Sequence, residues 1–217
     1  MEIERLPSRQ RTTMPVSELQ KLFGIKKVES YWIIHNKPIQ TIQVAGKTRI
    51  VIESFEKWYA NQFHYEIIGG PAPGSNWTAV SYSPCDVALM LGVSESTVYA
   101  LIGKNVFKTI IVDHRTRIIK KSFENWYSKQ FHYKKQSGEP PGSFWSNITW
   151  SFKEIMYLLN APERIIRQHL RKEFYKAVKV DRSLRVYKDS FLQWYFSQED
   201  YLINQDRREQ YGIISKA

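Results

Sequence analysis

The sequence predicts an α+β protein built as three small tandem domains, each made of a helix, a tight turn, a second helix, a β-hairpin and a closing helix. Three observations carry this: the chain repeats at a shift of 68 residues with no gap, each unit switches from helical to alternating apolar spacing and back, and Pro/Gly-rich stretches recur between units. Gly24 and Gly92, Tyr31 and Tyr99, Arg49 and Arg117, Trp58 and Trp126, and Phe63-His64-Tyr65 and Phe131-His132-Tyr133 each stand 68 apart. The same shift carries Arg117 to Arg185, Ser122-Phe123 to Ser190-Phe191 and Trp126-Tyr127 to Trp194-Tyr195. Chance does not supply so many matches in one register.

The units are expected at 13–66, 81–134 and 149–203, with a polar leader over 1–12, Pro/Gly linkers over 67–80 and 135–148, and a polar tail over 204–217 with no fold of its own. In the first helix of each unit, Leu19, Leu22 and Phe23 face inward at helical spacing, matched by Val87, Met90 and Leu91 and by Ile155, Leu158 and Leu159. Ser83-Pro84 with Asp86 reads as an N-cap with a first-turn proline, and Ser151 with Glu154 as a capping box; Pro15 makes the first unit's start weaker. Gly24, Gly92 and Asn160 occupy the turn, where a left-handed residue is needed.

The second helix, about 94–103 in the middle unit, has a short buried side of Val98 and Ile102, matched by Ser30 and Ile34 and by Ile166 and Leu170. Alternation over Ile39 to Val44 with Arg49 to Val51, Phe107 to Val112 with Arg117 to Ile119, and Tyr175 to Val180 with Arg185 to Tyr187 predicts a hairpin wing in each unit. The closing helix buries Phe55 with Trp58, Phe123 with Trp126 and Phe191 with Trp194, three apart and so on one face. The linkers read as semi-rigid and extended, and Trp77 and Trp145 at their ends are expected to dock on the unit that follows.

The 217 residues carry a formal charge of +11 and a sequence pI of about 9.6. The excess is spread: 10 Lys and Arg against 7 Asp and Glu over 1–68, 9 against 4 over 69–136, and 13 against 10 over 137–217. That balance favours a polyanionic partner. A single cysteine, Cys85, excludes an intramolecular disulfide and a zinc site of the Cys-pair kind. No run of about 18 apolar residues exists and the first ten residues lack a signal-peptide core, so a soluble, cytoplasmic protein with no membrane partner is expected.

Two helices across a tight turn followed by a wing have a physical use, since the second helix can enter a major groove while the wing reaches the backbone or minor groove. Leu91-Gly92-Val93 followed by Ser94-Glu95-Ser96-Thr97-Val98-Tyr99-Ala100-Leu101-Ile102, with a wing and a Phe-x-x-Trp helix, resembles the excisionase-type helix-turn-helix family, relatives of the MerR winged-helix domain. The resemblance covers all three units. It implies sequence-specific binding of double-stranded DNA by small bacterial or phage proteins acting in excision of mobile elements or in transcription control, with no enzymatic activity. It also implies a place on the nucleoid, with a recombinase or the transcription machinery as a further partner.

By position, the groove-facing candidates of the middle unit are Ser94, Glu95, Ser96, Thr97, Tyr99 and Ala100, with no arginine among them. The first unit offers Lys26, Lys27, Glu29, Tyr31 and Trp32, and the third Arg164, Arg167, Gln168, Arg171 and Lys172. The third is the strongest candidate for base contacts, because arginine bonds both acceptors of a guanine edge and glutamine reads adenine, each pair discriminating by about 1–3 kcal/mol. Wing candidates are Lys47 and Arg49, His114, Arg115 and Arg117, and Arg182 and Arg185, the arginine shared by all three wings being expected on phosphate or in the minor groove.

Competing readings are plain. Trp58, Trp126 and Trp194 fit core packing better than stacking platforms; His64 and His132 lack a second ligand at metal spacing; Cys85 has no catalytic partner and reads as a small surface residue. No nucleophile–base pair recurs and no phosphate-binding glycine loop is present, so no catalysis, cofactor, metal or small-molecule substrate is expected. Three linked modules predict direct repeats of a short DNA site. The alternative is a protein-interaction scaffold built from the same modules, favoured by the arginine-free middle helix and by Trp32.

Overall fold

The computed structural model describes residues 11–213, so most of the expected leader and the last four residues of the expected tail lie outside the described residues. Among the described residues are twelve helices and three antiparallel sheets of three strands. One order of elements recurs. In the first stretch β1 (Thr13–Pro15) leads into α1 (Val16–Phe23) and α2 (Lys27–Asn36), then β2 (Thr41–Val44), β3 (Lys47–Val51) and α3 (Ile52–Tyr59). After α4 (Ser75–Val80) come β4 (Ser81–Tyr82), α5 (Pro84–Leu91), α6 (Glu95–Gly103), β5 (Thr109–Val112), β6 (Arg115–Ile119) and α7 (Lys120–Tyr127). After α8 (Ser143–Ile148) come β7 (Thr149–Ser151), α9 (Phe152–Leu159), α10 (Glu163–Arg171), β8 (Ala177–Val180), β9 (Ser183–Tyr187), α11 (Lys188–Tyr195) and finally α12 (Gln205–Gln210).

The first helices end as their sequences require. Gly24 and Asn160 are left-handed C-caps at φ 65° and 49°, and Gly92 has φ 62°. The Ser151–Glu154 capping box is complete, while Pro15 caps α1 without a side-chain hydrogen bond. Each hairpin gains a third strand that the sequence did not announce: β1, β4 and β7 pair antiparallel with β3, β6 and β9, with Met14 opposite Ile50 and Trp150 opposite Val186. Two or three residues are too few to show alternation.

By its contacts the chain divides into two compact units, residues up to 84 with 108–120, and 85–107 with 121 onward. The first unit packs Leu19 and Phe23 of α1, Ile33 and Ile34 of α2, Ile50 of β3 and Phe55 and Trp58 of α3 into one core. In the second unit, Phe107 packs on Phe123 and Trp126 with centroids at 6.1 and 5.4 Å, and a further core gathers Ile155, Leu158, Ile166, Tyr175, Phe191 and Tyr195. Phe55–Trp58, Phe123–Trp126 and Phe191–Trp194 are in ring contact at 5.6–5.9 Å, so the tryptophans serve the core.

Four expectations are corrected. The buried side of the second helix is completed by Ile33, Leu101 and His169, while Ile102 and Leu170 are only half-buried. The linkers are not extended: the Tyr59 hydroxyl donates to the carbonyl of Pro71 at 2.7 Å and accepts from the amide of Ile67 at 3.1 Å, and Tyr127 does the same with Glu139 and Lys135. Trp77 and Trp145 end these bends by docking backward, their indole N–H groups donating to the carbonyls of Asn61 and Lys129 at 3.1 and 3.0 Å. The tail is folded as far as residue 213, because Ile203 and Ile213 are buried and bring α12 onto the last core, with Tyr211 edge-on to Trp150.

Candidate nucleic-acid interface

In the second unit, α5 and α6 meet at 112° across Gly92, within the range for two helices joined by a helix-turn-helix turn. The Ser94 hydroxyl caps α6 by accepting from the amide of Thr97 at 3.3 Å, and lies 2.8 and 3.0 Å from the hydroxyls of Ser96 and Thr97. The expected hydroxyl readers are thus engaged with one another in the cap. Glu95, Tyr99 and Ala100 are exposed, and α6 itself carries no cation, Lys104 following as its C-cap.

The third-stretch helix α10 is built oppositely. Ile166 and His169 hold its buried side, and Glu163, Arg164, Arg167, Gln168 and Arg171 are exposed. Positions 164, 167, 168 and 171 are three, four and seven apart and share one face. Arg167 pairs with Glu163 at 2.6 Å and lies 5.5 Å from the Phe152 ring centroid; a solvent-exposed pair of this kind is weak and open to exchange for phosphate. Lys172 follows as the C-cap, 5.8 Å from the Phe174 ring. Between α10 and the β8–β9 hairpin lies an open cleft of about 950 Å³, lined by Arg167, Arg171, Lys176, Tyr175 and Tyr187 among others. Arg167 also lines a neighbouring cleft of about 410 Å³ with Lys179 and Arg182. Lys176 and Lys179 were not among the expected contacts; Lys176 just before β8 and Lys179 on it, next to a cationic helix in sequence, were the available signal.

His169, on the inner side of α10, packs against Phe174 and Trp194 at 5.2 and 5.1 Å, with the Tyr175 hydroxyl 3.4 Å from Nδ1. Burial, with Lys172 adding to it, lowers the histidine pKa, so the neutral ring is the form the core holds. Burial likewise raises the Tyr175 hydroxyl.

On α2, Lys26 is the N-cap, Lys27 lies 6.0 Å from the Tyr31 ring, and Tyr31 is half-buried against the core. Val28 and Trp32 are exposed at 84% and 49%. Lys47, His114 and Arg182 are exposed on the hairpins.

The shared wing arginines are corrected. Arg117 and Arg185 are buried and Arg49 half-buried; their guanidinium groups donate to the hydroxyl and carbonyl oxygens of Ser81, Thr149 and Thr13, tying the third strand to the hairpin. Burial disfavours the charged Arg185, a cost that these hydrogen bonds offset. Arg115 is exposed but lies 5.6 Å from the Phe63 ring. None of the three shared arginines presents a free guanidinium to a phosphate.

Local desolvation and a hydrogen bond with Glu95 push the Cys85 thiol up, away from thiolate chemistry. Among the described residues, no group of three or more His, Cys, Asp or Glu side chains could hold a metal ion, and no single helix is long and apolar enough to cross a membrane.

A family model described as a helix-turn-helix domain matches residues 81–130, the stretch from β4 through α7, which supports DNA binding by this domain. No curated protein and no solved structure matches the chain.

Proposed function

We propose that the chain is a sequence-specific duplex-DNA-binding protein of the excisionase or transcription-regulator type, made of three winged helix-turn-helix modules at 13–66, 81–134 and 149–203. The observation that carries the reading is the outward face of α10: Arg164, Arg167, Gln168 and Arg171 on one side of a short helix, continued by Lys176, Lys179 and Arg182 beside it. In a major groove, such a face reads guanine and adenine edges while the hairpin cations hold phosphate. Lys26, Lys27 and Lys47 give the first module a weaker version, and the middle module contributes Tyr99 and the cap hydroxyls of Ser94, Ser96 and Thr97. Three modest sites on one chain gain affinity through effective concentration, which predicts direct repeats of a short element.

The test is selection of the purified chain against random duplexes, with affinity for the enriched sequence followed across salt. Repeated short elements and a steep fall of affinity with salt support the proposal; salt-sensitive binding with no enriched element refutes sequence specificity. A second reading, a scaffold for a recombinase or the transcription machinery, is favoured by exposed Val28 and Trp32 on α2. Val28→Ser with Trp32→Ser leaves DNA binding intact under that division of labour and abolishes partner capture.

A further inference from the structure

One contact occurs twice, with the same atoms, 68 residues apart. In the first unit the backbone N–H of Phe63 donates to Asp113 Oδ2 at 2.7 Å, and the ring sits 5.1 Å from the Arg117 guanidinium. In the second unit the N–H of Phe131 donates to Asp181 Oδ2 at 2.5 Å, and its ring sits 4.7 Å from the Arg185 guanidinium. Each ring lies on a glycine: a Cβ added at Gly74 or Gly142 would come within 2.2 or 2.0 Å of it. In both cases a residue following a closing helix enters the hairpin of the next stretch. Phe63 and Phe131 are plugs; the Asp and the buried Arg are their sockets.

The first hairpin and the turn after α11 each lack one half. At the tip of the first hairpin, Ala45 and Gly46 have φ 48° and 71°, as Asp113 and His114 have 45° and 62° and Asp181 and Arg182 have 44° and 66°. The turn is the same, yet the carboxylate is missing. Arg49 keeps its bonds to Thr13 but is half-buried where Arg117 and Arg185 are buried, and among the described residues no aromatic ring lies over it. After the last closing helix the turn is again kept: Gln198 bonds Tyr201 as Gln62 bonds Tyr65 and Gln130 bonds Tyr133. The plug position there holds exposed Glu199 instead of Phe.

We propose that the Phe plug and the Asp–Arg socket form the interface that joins each module to the next, and that pairing stops where the socket carboxylate is replaced by Ala45 and where the plug is replaced by Glu199. This rests on the three-module reading of the chain, not on DNA binding. Stacked repeats touch only their neighbours, so an unmodified end would remain open to another copy; Glu199 replaces an apolar plug by a charge and closes that route.

Amide exchange without DNA tests the interface. Asp113→Ala accelerates exchange of the Phe63 amide by about tenfold or more and leaves Phe131 unchanged, and Asp181→Ala does the reverse. Alanine already occupies this backbone conformation at Ala45, and protection of the Ile119 and Tyr187 amides reports that the hairpins remain folded. Unchanged exchange at both Phe amides, with hairpins intact, overturns the interface. Termination is tested by restoring both halves in one chain, Ala45→Asp with Glu199→Phe. Its average mass in sedimentation rises with concentration toward the millimolar range, while the parent and each single variant do not; a double variant indistinguishable from the parent overturns termination. Duplex binding by the same variants is measured separately, so failure of the DNA reading and failure of this one are told apart.

Discussion

The helices α6 and α10 occupy matching places and share an inner face, yet they offer opposite outer chemistry. Val98 and Leu101 anchor the first, Ile166 and His169 the second. Outward, α6 carries hydroxyls that bond one another, and α10 carries three arginines and a glutamine. The family match falls on the stretch holding α6, a helix that itself carries no cation. The difference teaches that recognisability and binding chemistry are carried by different residues: turn and core residues make a helix-turn-helix legible, while solvent-facing residues decide what it reads.

Four experiments break or sharpen this comparison. The largest effect is expected inside. Ile166→Ala destabilises the α10 core by about 2–5 kcal/mol and Val98→Ala the α6 core by about 2 kcal/mol, because both side chains are fully buried; urea melts check it, and equal, negligible losses would contradict the shared anchoring. On the outer faces, Arg164→Ala weakens binding to the selected duplex by about 1–3 kcal/mol, and Ser96→Ala changes it by less than about 0.5 kcal/mol, read by fluorescence anisotropy.

At the turns, Gly92→Ala forces a side chain into left-handed backbone at φ 62° and costs about 1–2 kcal/mol, whereas Asn160→Gly stays within about 0.5 kcal/mol of the parent in the same melts. The smallest effect is a pH dependence confined to α10. His169 has a folded pKa below its unfolded value of 6.5, so its contribution is fully present above about pH 6.5 and is lost as pH falls toward the folded pKa. His169→Leu, which copies Leu101, flattens that stretch of the stability–pH curve.

What the sequence disclosed was local. Gly24, Gly92, the Ser151–Glu154 box and the Phe-x-x-Trp pairs depend on neighbours three or four residues away, so spacing alone revealed them. What it concealed was distant. Arg117 and Ile118 are adjacent on β6 and both buried, so alternation does not tell which side faces solvent; Phe63, far earlier in the chain, lies against the arginine. A repeated arginine therefore reads the same in a sequence whether it holds a strand or a phosphate. Trp77 and Trp145 each stand between two repeated stretches, and their indole bonds point to the preceding one.

The most direct test of the central claim is a paired selection, in which the parent chain and the Arg164→Ala, Arg167→Ala, Arg171→Ala variant are each enriched against the same random duplexes. The parent's strongest element is expected to disappear for the variant while weak, salt-sensitive binding persists. Recovery of the same element by both proteins would contradict it, and would move sequence reading away from α10.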